Sequence, residues 1–360
     1  MTKRTFRHFR PDRLSSWGLP AGLALFFLTL YVTFKSVSLD DFDSYSFALA
    51  LDHFSLILQQ PQPPGFPVYV VLGRLMQLLM KDHVAALTIV SALSGVVAVV
   101  LVYALAQQLI THQPAASGIA ALLFGLAPVT WLTAEKALSD MPGLAWTLLA
   151  LWLWHRWRTV TPDRKDSSRP WLYSAAAGLA TGLSLGVRPQ NALPILLLTA
   201  GFLAHDIVYR RPLAPWLLAG AGGLCGIAAW LIPTATSTGR LPGGFGAYLE
   251  LIMNHAAHVG RADSLLGMNA PPVQALRSRA LAFGDVLLTG LIATGLYPPL
   301  ASGAWIRIAG LVALSLAGFL KADWRRPEIR WLGVWFAGVS LQIFLFETLD
   351  RPRLLLPLIP

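Results

Sequence analysis

Long apolar runs separated by short polar segments dominate this chain of 360 residues. The first run extends from Trp17 to Val37, and a run of about 20 apolar residues is long enough to cross a membrane as an α-helix. Further runs lie at 84–110, 115–132, 141–155, 171–187, 190–207, 213–233, 303–320 and 331–346. The pattern predicts an all-α, polytopic transmembrane protein with about nine to ten spans.

The composition excludes an ordinary soluble domain. Hydrophobic residues make up 55% of the chain, charged residues make up only 13%, and the mean hydropathy is +0.57. Soluble domains usually carry about 25% charged residues. The single cysteine, Cys225, lies inside an apolar run, so the sequence indicates neither disulfides nor a cysteine metal site.

Basic residues fall in short clusters between the apolar runs, and such clusters mark the cytoplasmic side of a membrane. The residues predicted to be cytoplasmic are Lys3, Arg4, Arg7, Arg10, Arg13, Arg156, Arg158, Arg164, Lys165, Arg169, Arg210, Arg211, Lys321, Arg325, Arg326 and Arg330. We therefore predict a cytoplasmic basic N-terminus at 1–16 and a single transmembrane domain at 17–360. This distribution explains the net charge of +10 better than a nucleic-acid-binding surface does.

Two long segments, 38–83 and 234–282, are predicted to be loops on the outer face of the membrane. Residues 283–300 are apolar enough to cross, but Lys321 is cytoplasmic only if there is one net crossing between 283 and 320. We therefore expect 283–300 to be re-entrant or to lie on the membrane surface. The last residues, LLLPLIP, begin another apolar segment, which predicts that the natural chain continues beyond Pro360.

Three acidic residues, Asp40, Asp41 and Asp43, follow the first span directly. Carboxylates at this spacing repel one another, so their grouping is unfavourable unless it serves a purpose. A solvated acidic loop is the alternative interpretation. The position of this acidic motif at the membrane boundary favours a functional role.

A proline-rich motif, QPQPPGFP at 60–67, follows in the same loop. Its prolines and Gly65 interrupt any regular helix. The motif is either a rigid linker or the wall of a cleft, in which Pro64 and Gly65 would contact substrate. A surface helix is expected on either side of the motif. The first is indicated by apolar side chains at helical spacing, namely Phe47, Leu51, Phe54 and Leu58. The second is indicated by the short apolar segment 68–80.

Asp140 begins the fourth span from its predicted outer end. Ser139 or Asp140 would cap this helix, with Pro142 in its first turn, and a functional role for Asp140 is compatible with capping. The neighbouring Glu135 and Lys136 are expected to pair with each other or with a substrate.

Isolated arginines are predicted at the same face of the membrane. Arg188 lies in a short turn between two spans, and Arg351 and Arg353 follow the last span. A guanidinium group binds phosphate through two parallel hydrogen bonds, which predicts a site for a phosphorylated lipid. Snorkelling to lipid headgroups is the alternative. His255 and His258 are interpreted as surface or gating residues, because two histidines alone are a weak indication of metal binding.

Four sequence segments, taken in order, resemble the GT-C superfamily of membrane glycosyltransferases. They are the acidic motif, PQPPGFPVYVVLGRL, Ser139-Asp140-Met141-Pro142 and RPRLLLPLIP. This superfamily includes protein O-mannosyltransferases and bacterial lipid A aminoarabinose transferases, and the resemblance extends over about residues 17–360. It implies transfer of a hexosyl or pentosyl unit from a polyprenyl-phosphate carrier to a protein, lipid or glycan acceptor. By this resemblance the reaction takes place on the outer face of a bacterial inner membrane.

The resemblance also implies roles for individual residues. Asp41 or Asp43 would be the general base that activates an acceptor hydroxyl, with Asp40 in the same catalytic motif. Asp140 would position the acceptor or assist its ionisation. The leaving phosphate would be held by Arg188, Arg351 or Arg353.

The sequence departs from the superfamily at three points, which leave the choice of base open. Ser46 or Tyr45 stands near the position where many relatives have a glutamate, and Gln62 stands where a histidine is common. Leu354 follows Arg353 where a tyrosine is common. Some members use a divalent metal at an acidic motif of this type, so Mg²⁺ or Mn²⁺ is the candidate cofactor. No ligand set in the sequence requires one.

Two other functions compete with glycosyl transfer. A translocator of lipids or lipid-linked sugars without covalent chemistry would place polar residues deep inside several spans, and the apolar runs here contain few. A catalytically inactive partner subunit is compatible with the missing glutamate.

Overall fold

The computed structural model describes residues 18–111, 113–159, 169–238, 244–262, 272–292, 309–310, 313, 317–318, 320–321 and 327–346. The named elements in these ranges are all helical, and one isolated β-bridge joins Ser55 and Gln60. The helices are α1 (Gly18–Thr33), α2 (Phe42–Asp52), α3 (Pro67–Gln77), α4 (His83–Ala106), α5 (Pro114–Leu126), α6 (Pro128–Glu135), α7 (Asp140–Thr159), α8 (Arg169–Val187), α9 (Ala192–Val208), α10 (Ala214–Thr238), α11 (Gly244–Ala262), α12 (Pro272–Ile292) and α13 (Pro327–Phe346). A π-helical turn, Gln107–Thr111, extends α4, and a 3₁₀ turn, Pro189–Asn191, precedes α9.

The predicted class, an all-α integral membrane protein, is confirmed. Three stretches of the described chain are long and apolar enough to cross a membrane, namely His83–Leu109, Pro189–Val208 and Ala214–Ser237. Helices α5 and α6 meet the same criterion together, although a bend of 61° separates them. Shorter apolar helices occur within α1, α8 and α13. The total of nine to ten spans therefore stays a prediction.

Helix α4 lies at the centre of the first half of the bundle. It packs against α1, α3, α5, α6 and α7. The core between α1, α4, α5 and α7 contains the fully buried aromatic side chains of Phe27 and Tyr31. Helix α7 then joins this core to α8, and α8 packs along α10. The consecutive packing holds the ends of α1, α6, α7 and α8 in fixed relative positions.

Helices α8 and α10 approach each other so closely that only glycine fits at the crossing. A Cβ atom on Gly178 or Gly182 would overlap backbone atoms of α10, and a Cβ atom on Gly226 would lie 2.6 Å from the carbonyl oxygen of Leu179. A Cβ atom on Gly182 would overlap the carbonyl oxygen of Gly223. Small residues spaced by four positions allow this backbone contact between membrane helices.

The first predicted outer segment, 38–83, differs from its predicted secondary structure. Helix α2 ends at Asp52, so the apolar spacing that predicted a helix through Leu58 is wrong beyond that point. Phe47 and Leu51 are buried against α3 and α4, whereas Leu58 is exposed. Arg74 of α3 donates hydrogen bonds to the carbonyl oxygens of Ala50 and Leu51, at 2.9 Å each. These bonds satisfy carbonyl groups at the C-terminal end of α2, where the helix supplies no partner.

Much of the second predicted outer segment, 234–282, is helical in the described residues, and its location on the outer face stays a prediction. It contains the end of α10, all of α11 and the first half of α12. Two of the glycines and prolines that suggested a loop lie at helix starts: Gly244 begins α11 and Pro272 begins α12. Helix α12 covers 283–292, and the remainder of the predicted re-entrant segment lies outside the described residues, as do residues 1–17 and 347–360.

We expect Gly182→Leu to disrupt assembly of the bundle, because its side chain would separate α8 from α10. Gly220→Leu is the matched control, since no atom lies within 4 Å of a Cβ placed on Gly220. The effect is measured as the amount of folded protein that remains after heating, detected by size-exclusion chromatography in detergent. A Gly182→Leu variant as stable as the Gly220→Leu control would contradict the close helix contact.

Candidate active site

The acidic motif lies between the end of α1 and the first turn of α2, where it meets the segment that joins α6 to α7. Lys136 of that segment places its Nζ atom 3.8 Å from an Oδ2 atom of both Asp40 and Asp41. The backbone N–H of Ser36 donates to the carbonyl oxygen of Glu135 at 3.0 Å, which fixes the two segments to each other. All three charged side chains are partly exposed, so solvent screens their attraction. We call Asp40, Asp41 and Lys136 the Lys136 cluster.

Asp43 has a different environment from the other two aspartates. It lies in the first turn of α2, and its Oδ1 atom accepts a hydrogen bond from the Nε2 atom of Gln62 at 2.7 Å. The Oε1 atom of Gln62 accepts a hydrogen bond from the hydroxyl of Ser46 at 2.6 Å. Gln62 therefore connects the acidic motif to the proline-rich motif and fixes the orientation of the Asp43 carboxylate.

The proline-rich motif forms a compact, non-helical turn before α3. Gly65 has a φ angle of +104°, and a Cβ atom there would lie 2.8 Å from the side chain of Leu56. Both its conformation and its surroundings therefore require glycine. The carbonyl oxygen of Pro64 accepts a hydrogen bond from the hydroxyl of Tyr248 on α11, at 3.3 Å. The motif thus has a described structural role, and its contact with substrate stays a prediction.

Asp140 and Arg188, which the sequence singled out separately, form a buried ion pair. The Nη2 atom of Arg188 lies 3.0 Å from Oδ1 of Asp140, and the two side chains are only 12% and 4% exposed. The Nη1 atom of Arg188 also donates to the hydroxyl of Ser139 at 3.3 Å. Asp140 is the first residue of α7, where the positive end of the helix dipole also stabilises a carboxylate. The pair holds the start of α7 against the turn between α8 and α9.

Small and polar residues around this pair allow the close approach. A Cβ atom on Gly143 would lie 2.7 Å from the Cβ atom of Arg188, so a larger residue would displace the arginine. Asn191, in the 3₁₀ turn after Arg188, donates from Nδ2 to the hydroxyl of Thr147 at 2.8 Å. A second connection between the turn and α7 therefore supports the ion pair.

Tyr69 of α3 extends this buried region toward the first outer segment. Its side chain is fully buried, and burial raises the pKa of its hydroxyl; a contact with Ser91 opposes this shift, and the Asp140 carboxylate adds to it. Burial therefore keeps the hydroxyl neutral in the neighbourhood of the Asp140 carboxylate. Ser91 in turn donates to the carbonyl oxygen of Leu138 at 3.1 Å. These contacts join α3 and α4 to the segment that precedes α7.

Several predicted site residues have partners other than those expected. Glu135 does not pair with Lys136; its carboxylate accepts a hydrogen bond from the indole N–H of Trp131. The predicted phosphate ligands Arg351 and Arg353 lie outside the described residues. Among the residues that the structure describes, no group of three or more His, Cys, Asp or Glu side chains is arranged to hold a metal ion.

Sequence reasoning missed two contributors to the site. Gln62 was noted only as a departure from a family pattern, yet its amide contacts both Asp43 and Ser46. Tyr69 was counted as part of an apolar helix. A tyrosine hydroxyl within an apolar segment usually has a polar neighbour when it is buried, and that rule could have identified it.

Residues 53–208 match the family model of the protein O-mannosyl-transferase TMEM260 N-terminal domain. No curated protein sequence matches the chain. The predicted resemblance to the GT-C superfamily is confirmed by this match together with the solved structures described next.

Solved structures of two other proteins share the fold. ArnT from Cupriavidus metallidurans, bound to undecaprenyl phosphate, superposes with a TM-score of 0.62 at 14% identity, over 97% of this chain and 59% of that one. The apo state of ArnT gives a TM-score of 0.59 at 16% identity, over 97% of this chain and 58% of that one. The apo oligosaccharyltransferase of Archaeoglobus fulgidus gives a TM-score of 0.54 at 15% identity, over 97% of this chain and 50% of that one. The chain thus spans between half and three fifths of the length of these neighbours.

We expect Asp140→Asn to destabilise the protein by about 3–5 kcal/mol, because it leaves the Arg188 guanidinium buried without a countercharge. The double variant Asp140→Asn with Arg188→Gln removes both charges and should recover part of that loss. Thermal unfolding in detergent, measured for both single variants and the double variant, checks this. If the losses of unfolding free energy in the two single variants simply add in the double variant, the two side chains do not interact.

Proposed function

We propose that this protein is a glycosyltransferase that moves a sugar from a polyprenyl-phosphate carrier to an acceptor hydroxyl on the non-cytoplasmic face of the membrane. The observation that supports it best is the meeting of both kinds of charge at one end of the bundle. The short segment 136–140 carries Lys136 beside the acidic motif and Asp140 beside Arg188. Glycosyl transfer from a lipid phosphate needs a base and cations in such proximity.

Asp43 is the general base in this proposal. A base must hold its carboxylate in a fixed direction, and the Gln62 amide bonded to Oδ1 provides that constraint. The carboxylates of Asp40 and Asp41 instead face the ammonium group of Lys136. Asp43 would accept the proton of the acceptor hydroxyl as its oxygen attacks the anomeric carbon. The bond between that carbon and the phosphate oxygen breaks, and its electron pair leaves with the phosphate.

Lys136 and Arg188 are the described cations that would stabilise the departing phosphate. At 3.8 Å from each carboxylate, Lys136 is in ionic contact without a close hydrogen bond, so its N–H groups are available to phosphate oxygens. Arg188 is held by Asp140 and Ser139, which fix the plane of the guanidinium. In this proposal Asp140 acts through Arg188 and does not contact the acceptor. Arg351 and Arg353 would add to the same phosphate site.

The likeness in fold to ArnT supports a phosphorylated polyprenyl lipid as the donor, because that protein was solved with undecaprenyl phosphate bound. The match to an O-mannosyl-transferase domain supports a hydroxyl group as the acceptor. The distribution of basic residues supports the proposed cytoplasmic location of the N-terminus. The proposed location in a bacterial inner membrane rests on the resemblance to the GT-C superfamily.

Asp43→Asn should lower the rate of transfer by about 10²–10⁴-fold, because the amide cannot accept the hydroxyl proton. The readout is released polyprenyl phosphate, measured in detergent with a panel of polyprenyl-phosphate sugars. Asp52→Asn, at the other end of α2 with a mostly exposed side chain, is the matched control and should retain activity. Activity retained by Asp43→Asn but lost by Asp41→Asn would move the base to Asp41.

The requirement for a metal can be tested in the same assay. The ammonium group of Lys136 lies 3.8 Å from both Asp40 and Asp41, so it already neutralises part of the charge that would attract a divalent cation. We therefore expect turnover to persist after treatment with EDTA. Loss of turnover on chelation, restored by Mg²⁺ or Mn²⁺ but not by Na⁺, would instead establish a metal-dependent reaction.

A further inference from the structure

A second candidate site lies in a cavity of about 250 Å³ between α4, α7, α9 and α13, with one residue from α5. Its walls are largely apolar. The residues that form its apolar walls include Leu105, Leu109, Leu148, Leu151, Phe202 and Trp331.

One end of this cavity is polar and basic. Arg158, His155, His205 and Arg211 all line it. Asp206 is the acidic partner at this end: its Oδ2 atom lies 3.0 Å from Nη1 of Arg158, and its Oδ1 atom lies 3.9 Å from Nε of Arg211. One carboxylate faces two guanidinium groups, so the end of the cavity carries an excess of positive charge even when both histidines are neutral.

The cavity is remote from the candidate active site. Asp140 and Arg158 lie on the same helix, α7, and are 18 residues apart, which corresponds to about 27 Å along the axis. This length is close to the thickness of the hydrocarbon layer of a membrane, about 30 Å. The basic end of the cavity therefore lies at the opposite membrane surface from the Lys136 cluster.

We propose that this cavity binds an anionic phospholipid of the surrounding membrane, with its phosphate at Arg211 and Arg158 and part of one acyl chain between the apolar walls. A basic end continuous with an apolar cavity fits an amphiphile, because free phosphate would leave the walls without a partner. Basic pockets between membrane helices recognise anionic headgroups through the same chemistry. Arg211 is the more accessible of the two arginines, with a side chain that is 52% exposed.

The headgroup contact is tested by native mass spectrometry of the full chain in detergent with phosphatidylglycerol and with phosphatidylcholine of identical acyl chains. We expect about tenfold tighter binding of phosphatidylglycerol, and a loss of that preference in Arg211→Gln. Arg210→Gln is the matched control, because Arg210 is exposed and does not line the cavity. Equal binding of the two lipids, or an equal effect of the two substitutions, would overturn the proposal.

The acyl-chain contact is tested by filling the cavity. Ala120→Phe on α5 should lower the occupancy of phosphatidylglycerol, because Ala120 lines the cavity. Ala115→Phe should not, because Ala115 is exposed, does not line the cavity and lies about 140° around the same helix from Ala120. Millimolar inorganic phosphate should fail to displace the lipid. Displacement of the lipid by phosphate alone would show that only the basic end of the cavity contributes to lipid binding, which would contradict the acyl-chain contact. If Ala120→Phe fails to fold, the comparison of Arg211→Gln with Arg210→Gln still decides the proposal.

Discussion

The buried ion pair between Asp140 and Arg188 is the interaction on which the architecture of the charged end of the bundle depends. A charge removed from water must be compensated by a partner, and each of these side chains supplies the other's countercharge. The requirement places the start of α7 against the turn between α8 and α9. Because the segment 136–139 runs directly into Asp140, it also determines where Lys136 meets the acidic motif.

The bend between α5 and α6 completes this arrangement. A straight helix continuing from Leu126 would carry Glu135 and Lys136 along the axis of α5 and away from the end of α1, whereas the bend of 61° brings Glu135 to Ser36. A break in a membrane helix leaves backbone carbonyls without partners. The hydroxyl of Tyr31 donates to the carbonyl oxygen of Gly125 at 2.8 Å and so satisfies a group next to the break. The aromatic core around α1 thus supports the geometry of the charged site.

Much of the site could be predicted from the sequence as individual residues, but not as contacts. Asp140 and Arg188 were each expected to matter, yet their pairing depends on how α7 and α8 pack, which periodicity does not reveal. The spans of α4, α9 and α10 followed from hydropathy because a membrane imposes a minimum apolar length. The extent of α2 could not be predicted from hydropathy, because the helix ends where Arg74, from a different segment, caps it. The helices within 234–282 were hidden because glycine and proline also occur at helix starts.

The contact between α8 and α10 has a consequence for experiments that search for essential positions. Where a methyl group would overlap backbone atoms, substitution by any larger residue is unfavourable, whatever its chemistry. A random-mutagenesis screen scored by activity would therefore find Gly178 and Gly182 as intolerant as any catalytic aspartate. Intolerance at those glycines reports on assembly, and separating it from chemistry requires measuring the amount of folded protein alongside its turnover.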